Sequence, residues 1–172
     1  FDILSVEPVV LKASPLALTA DELPRIRAEY DRLTAAYLKR RREGRGFFFF
    51  HFNVDLSNGP CVAKRLAGCG AGHEYFAVAE NGDLYPCHQF VGRGKYKLGD
   101  VFDGVDENSK HWTKYFRDSH VLNKSKCKNC WAKYFCSGGC HANADLFHGD
   151  IRAPYDLGCE IQKKRLESAI YV

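Results

Sequence analysis

Cys127-Lys-Asn-Cys130-Trp-Ala-Lys-Tyr-Phe-Cys136-Ser-Gly-Gly-Cys140 places four of the chain's eight cysteines within fourteen residues, spaced two, five and three apart. A Cys-x-x-Cys pair turns two thiolates onto one metal centre without straining the loop between them. Ser137-Gly138-Gly139 supplies backbone that takes positive φ where the chain must bend past something bulky. Cys61, Cys69, Cys87 and Cys159 lie far off in sequence. Eight thiols make two sets of four, which suits two tetrahedral thiolate sites. The reading is of two inorganic centres holding one domain together.

Composition narrows the setting. The chain has 172 residues, 45% apolar and 27% charged, the balance of an ordinary globular protein. It has neither an apolar run of about 18 residues nor a signal-peptide pattern, which predicts no membrane partner and a cytoplasmic setting. Four disulfides suit small secreted scaffolds that cannot build a core. This chain has the apolar residues to build one, so the cysteines read as metal ligands. The net charge of +4 concentrates in Lys39, Arg40, Arg41, Arg42 and Arg45. These end a predicted helix, where cations favour the negative pole of the macrodipole. No aromatic residues interleave with them, so no nucleic-acid partner is expected. Methionine is absent, position 1 included, and the chain opens on the apolar run Phe1–Val10. It reads as a piece of a longer protein.

Residues 1–11 read as a strand of a parallel sheet, with Pro8 near its end. A helix is expected from Thr19 or Asp21 to Glu43. Thr19 and Glu22 have capping-box spacing, and Leu23, Ile26, Tyr30, Leu33, Tyr37 and Leu38 form one apolar face. Phe47–Val54 is strongly strand-forming and is expected to be buried on both faces or to lie against a cofactor. Residues 74–79 and 83–91 read as strands joined at Asn81-Gly82, a strong hairpin signal, with Cys87 on the return strand. Residues 92–104 read as Gly-rich turns. Helices follow at about 108–120, at Ala142–Phe147 and from Cys159 to about 170. The fold class is α+β. Asp145 reads as a surface group and Asp150 as a turn residue. His73, His88 and His141 flank cysteines but read as packed or solvent-facing side chains, and Trp131 and Tyr134 as a lid.

Zinc and a cubane [4Fe–4S] cluster both accept four thiolates. Zinc sites usually combine two short knuckles, whereas only Cys127/Cys130 is a clean knuckle here. Singly scattered cysteines near glycine-rich turns suit a cluster several ångström across, with a zinc-binding structural module as the rival.

The order Cys69, Gly82, Cys87, then Cys127, Cys130, Cys136, Cys140 and the late Cys159 resembles the seven-cysteine pattern of the SPASM domain. That domain is the C-terminal module of radical S-adenosylmethionine (SAM) enzymes that modify peptides. The resemblance covers about residues 61–160. The segments Cys69-Gly-Ala-Gly-His-Glu-Tyr-Phe, Tyr85-Pro-Cys-His-Gln-Phe-Val-Gly and Cys130-Trp-Ala-Lys-Tyr-Phe-Cys-Ser-Gly-Gly-Cys look like the thioether-forming maturases of "six cysteines in forty-five" peptides. The resemblance implies that residues 1–45 are the last strand and helix of a partial (β/α)₆ radical barrel with its linker, and 46–172 the SPASM domain. It sends Cys69, Cys87 and Cys140 to a first [4Fe–4S] cluster and Cys127, Cys130, Cys136 and Cys159 to a second. Cys61 stands where sulfatase maturases have a fourth ligand to the first cluster. In thioether-forming relatives that iron can instead be open to the substrate thiolate; Cys61 is read as its ligand in the substrate-free state.

The Cys-x₃-Cys-x₂-Cys triad that binds a third cluster and generates the radical from SAM is not in this sequence, so the chain alone is expected to be inactive. No catalytic residue is assigned within it. The implied reaction abstracts a substrate hydrogen, joins the thiolate to the carbon radical, and passes one electron to the auxiliary clusters. The implied partners are a cysteine-containing precursor peptide, the enzyme's own N-terminal barrel and a reducing electron donor. Sulfatase maturases carry a catalytic aspartate directly after the hairpin cysteine. His88 stands there here, which points to thioether formation.

Overall fold

The computed structural model describes residues 1–172. In chain order the elements are β1 (Ile3–Leu4), α1 (Leu23–Arg42), β2 (Phe48–Phe49), α2 (Val62–Arg65), β3 (Ala77–Val78), β4 (Asp83–Tyr85), β5 (Gly99–Asp100) and β6 (Gly104–Val105). They continue with α3 (Lys110–Asp118), α4 (Ser125–Lys128), α5 (Lys133–Cys136), α6 (His141–His148) and α7 (Asp156–Tyr171). Helices and short antiparallel strands in one chain make the α+β class expected from sequence. The chain divides into two units, Phe1–Cys61 with Tyr155–Val172, and Val62–Pro154.

In the first unit, the capping residues read from sequence set the start of α1. The Glu22 carboxylate accepts the Thr19 N–H at 2.8 Å and the Thr19 hydroxyl at 3.2 Å, and Pro24 falls in the first turn, where its missing N–H is harmless. The apolar face of α1 meets α7 around Tyr30, Phe49, Phe52, Leu157, Ile161 and Ala169. Buried Arg165 of α7 donates to the Tyr30 hydroxyl at 2.6 Å, bonds the Val6 carbonyl and pairs with Glu7 at 3.6 Å. One guanidinium thereby ties α7 to α1 and to the segment after β1.

Two expectations for this unit need correction. The strand over 1–11 contracts to Ile3–Leu4, which pairs in parallel with Phe48–Phe49, and Ile3 is 73% exposed. The ladder is short because its partner leaves it at Phe50, coiling into a 3₁₀ turn over Phe50–Phe52, while Pro8 has no N–H to extend it. Nor is Phe47–Val54 buried on both faces. A 3₁₀ turn brings residues three apart onto one face, so Phe49 and Phe52 turn inward, 4.8 Å apart edge to face, while Phe48 and Phe50 remain exposed.

The second unit is built on a four-stranded antiparallel sheet in the order β3-β4-β5-β6. The hairpin at Asn81-Gly82 forms as read: Ala77 pairs with Tyr85 and Val78 with Leu84, and the Asn81 amide oxygen accepts the Asp83 N–H at 3.1 Å. Cys87 lies just past β4 as the cap of a 3₁₀ turn over His88–Phe90, not on the strand itself. The turns expected over 92–104 contain a second hairpin. The Asp100 carboxylate turns it by accepting the N–H groups of Phe102 and Asp103 at 2.9 and 3.1 Å. Phe90, Leu98, Phe116, Val121 and Ile151 are fully buried beside the sheet, and Phe90 meets Phe116 edge on at 5.4 Å.

Asp145 is not a surface group. It accepts the Tyr96 hydroxyl at 2.5 Å and the Arg93 guanidinium at 3.0 Å, joining α6 to the segment before β5. Asp150 turns the chain after α6 as expected, accepting the Arg152 N–H at 2.8 Å, and also receives the Tyr115 hydroxyl at 2.6 Å.

Gly99 controls how closely β6 approaches β5. Its φ is 146°, and a Cβ there would sit 1.9 Å from the Gly104 carbonyl oxygen, a backbone atom that cannot rotate aside. Gly99→Ala is expected to lower the unfolding free energy of the chain by about 3 kcal/mol, read as a lower urea midpoint with little change in slope. A loss below about 1 kcal/mol would mean that β6 moves away freely.

Candidate metal centre

The second unit sorts its six cysteines into two triads. Cys69, Cys87 and Cys140 lie within electrostatic reach of one another and of the Tyr75 hydroxyl, which stands 3.9 Å from the Cys69 sulfur. Three elements deliver them: the turn after α2, the exit of β4 and the cap of α6. The Gly72 N–H is shared between the carbonyls of Tyr75 at 3.2 Å and Pro86 at 3.0 Å. This clamps the Cys69 turn to the residue before Cys87.

Cys127, Cys130 and Cys136 form the other triad. Short α4 and α5 place them: the Cys130 N–H bonds the Cys127 carbonyl at 3.0 Å, and the Cys136 N–H bonds that of Ala132 at 2.8 Å. After Cys136 the backbone is left-handed at three successive residues, Ser137 (φ 60°), Gly138 (φ 89°) and Gly139 (φ 74°). Serine rarely adopts this region. The run turns the N–H groups of Gly138 and Gly139 onto the Cys136 sulfur, as Gln89 and Phe90 donate theirs to Cys87.

The proton affinities follow from this geometry. Burial pushes the Cys87 thiol up; the Cys140 and Cys69 thiols add to the rise and the two N–H donors oppose it. Burial likewise raises Cys127, against the pull of Lys124 and with the push of Cys136 and Cys130. Cys136 is raised by burial and held back first by its two N–H donors. Thiols in this state release their protons when a metal replaces them. The donor set fits an iron–sulfur cluster: thiols only, in triads, with amide N–H groups already aimed at sulfur. No three His, Cys, Asp or Glu side chains converge on the spacing of a single metal ion.

Cys61 and Cys159 belong to the other unit. Cys61 is exposed. Cys159 lies half-exposed in the first turn of α7, its N–H bonded to the Tyr155 carbonyl at 3.0 Å.

The histidines take the packed and solvent-facing roles read from sequence. His141 is buried edge on against Phe116 at 5.4 Å. Burial, and then the charge of Lys124, lowers its pKa to about 4. His88 faces solvent. Trp131, expected as part of a lid, is 55% exposed, and Tyr134 stacks under the Lys133 ammonium at 5.2 Å. Sequence reasoning missed Tyr75 and Lys124. Tyr75 carried a weak signal, an aromatic residue in a glycine-rich turn six residues past Cys69. Lys124 carried none, since a lysine is normally read as solvated.

Residues 69–131 match the SPASM family, described as an iron–sulfur cluster-binding domain. A cysteine-type anaerobic sulfatase-maturating enzyme from Clostridium novyi is 29% identical over 97 residues, which are 54% of this chain and 24% of that protein. An uncharacterized protein from Archaeoglobus fulgidus is 28% identical over 107 residues, 58% of this chain and 24% of that one. Among solved structures, native anSMEcpe with bound AdoMet superposes with a TM-score of 0.63 at 18% identity, over 96% of this chain and 45% of that one. Native anSMEcpe with bound AdoMet and Kp18Cys peptide gives the same score over 46% of its length. The chain thus spans about a quarter of these relatives and under half of these structures. No helix is long and apolar enough to cross a membrane.

Accessibility ranks the thiols. In the metal-free chain near neutral pH, iodoacetamide should label exposed Cys61, Cys69 and Cys140 at least about tenfold faster than buried Cys87 and Cys127. Site-resolved mass spectrometry gives the rates. Equal labelling would mean that the triads open to solvent without metal.

Proposed function

We propose that this chain is the auxiliary-cluster domain of a radical SAM enzyme that forms thioether cross-links in a ribosomal peptide. The observation that carries the reading is the sorting of six cysteines into two triads, each with its own backbone N–H donors. A single zinc ion draws its sulfurs to within roughly 4 Å of one another. A cubane's own width separates its ligands, which suits thiols delivered from separate segments of the chain. Bound there, two [4Fe–4S] clusters supply one-electron acceptors of low potential.

The chain's residues then divide the work. Cys69, Cys87 and Cys140 hold the first cluster and Cys127, Cys130 and Cys136 the second, with Cys61 and Cys159 assigned as remaining ligands by the resemblance. Cys69 and Cys140 are exposed, which makes theirs the centre a peptide cysteine can approach. The N–H groups of Gln89, Phe90, Gly138 and Gly139 stabilise negative charge on sulfur. The enzyme's own N-terminal barrel supplies SAM and the third cluster, and an outside donor supplies electrons, in a reducing cytoplasm. Thioether formation is favoured by His88, which replaces the aspartate expected after Cys87 in sulfatase maturases. The identity to the Clostridium novyi enzyme supports the second reading, a sulfatase-maturase type of chemistry on the same domain.

Reconstituted without oxygen, the chain should take up about eight irons and eight sulfides, and Cys87→Ser or Cys127→Ser should each remove about four of both. Two zincs and no sulfide after reconstitution would overturn the cluster reading. The full-length enzyme separates the two chemistries. Loss of two hydrogens from the peptide with its cysteine protected from alkylation supports a thioether, and a new aldehyde supports the second reading.

A further inference from the structure

Tyr75 touches the first triad directly. Its hydroxyl stands 3.9 Å from the Cys69 sulfur, within the longer range of a sulfur acceptor, and within electrostatic reach of the Cys87 and Cys140 sulfurs. The backbone puts it there. After Cys69 the chain folds back in a tight turn, the Gly70 carbonyl accepting the N–H groups of His73 at 3.2 Å and Glu74 at 2.8 Å. Ala71 and Tyr75 are bridged across that turn. The Gly72 N–H, shared between the carbonyls of Tyr75 and Pro86, then pins the turn to the segment that carries Cys87. Tyr75 is thereby fixed at the far end of the turn that Cys69 begins, and its hydroxyl returns to the sulfur.

A phenol with the ordinary pKa of about 10 keeps its proton at neutral pH and faces a thiolate as a donor. Cys87 receives the backbone N–H groups of Gln89 and Phe90; Cys69 receives a side-chain hydroxyl. A donor aimed at a ligand sulfur stabilises negative charge there. The reduced form of a cluster carries more of that charge than the oxidised form, so such a donor favours reduction. Tyr75 is 41% exposed, so Tyr75→Phe keeps the ring and opens no cavity in the core. The hydroxyl is the one thing the substitution removes.

We propose that Tyr75 is a positioning residue acting through Cys69, its hydroxyl bond to that sulfur raising the reduction potential of the cluster held by Cys69, Cys87 and Cys140. This rests on the cluster reading above. The equilibrium it biases is a one-electron reduction by an outside donor. The electron goes to the cluster, and the hydroxyl keeps its proton.

The test is a redox titration of the reconstituted chain with dithionite, followed by electron paramagnetic resonance. The first couple is identified as the one that Cys87→Ser removes. Tyr75→Phe should weaken the reduction equilibrium of that couple at least about threefold, which is about 28 mV for one electron at 59 mV per tenfold, and leave the other couple in place. It should also lose one exchangeable-proton coupling to the reduced first cluster, a signal that the wild type shows in ordinary water and not in D₂O. A first couple unmoved or raised, or both couples moved equally, would overturn the proposal. Should Tyr75→Phe hold no iron, 3-fluorotyrosine placed at position 75 decides the matter, because its more acidic hydroxyl is the stronger donor. A first couple above the wild type then supports the bond, and one unmoved or lowered overturns it. A wild-type chain that takes up no iron and sulfide would remove the cluster reading itself, whereas a loaded wild type with an unmoved first couple in the variant removes this proposal alone.

Discussion

Thiols that are to carry negative charge repel one another and lose their hydration on burial, and both effects favour the protonated form. The second unit gathers six such groups in two places nonetheless. It offsets part of the cost with backbone N–H groups, two on Cys87 and two on Cys136, and the remainder falls to whatever binds the sulfurs. Folding and loading are linked in such a site, because binding energy available only to the gathered thiols is folding energy. The left-handed run at Ser137, Gly138 and Gly139 is the local form of this constraint. It turns two successive N–H groups back on the sulfur just before them.

The first unit answers to a different force. Its core is Tyr30, Phe49, Phe52, Leu157, Ile161 and Ala169, held by apolar burial and edge-on aromatic contacts. Its one deeply placed charge, Arg165, serves to tie three segments together. A buried guanidinium with a hydroxyl, a carbonyl and a carboxylate around it is a satisfied structural group. Lys124 in the second unit is as deeply buried, and its ammonium donates to the Gly138 carbonyl of the turn after Cys136.

What the sequence disclosed follows the range of the interactions involved. The α1 cap, the Asn81-Gly82 hairpin and the Cys127–Cys130 knuckle are set by residues within four positions of each other, and each was readable. The division of cysteines between the triads followed from the order of the family pattern, since Cys69, Cys87 and Cys140 come together only through strands and turns distant in sequence. The hairpin after Leu98 was hidden because glycines 99 and 104 carry no apolar alternation. What makes it a hairpin is an aspartate binding two N–H groups past itself, a feature that composition reads simply as turn. The Phe47–Val54 run misled in the opposite direction. Its β propensity was high, but tertiary packing of Phe49 and Phe52 on one face overrode it.

Asp145 and Lys124 were illegible for a shared reason. Each is a charged residue whose burial depends on partners far away: Arg93 and Tyr96 for the first, the turn after Cys136 for the second. Charge predicts exposure only where nothing distant can compensate it. In this protein Lys124 caps α4 with its carbonyl and donates its ammonium to the Gly138 carbonyl, so one residue ties the start of α4 to the turn after Cys136.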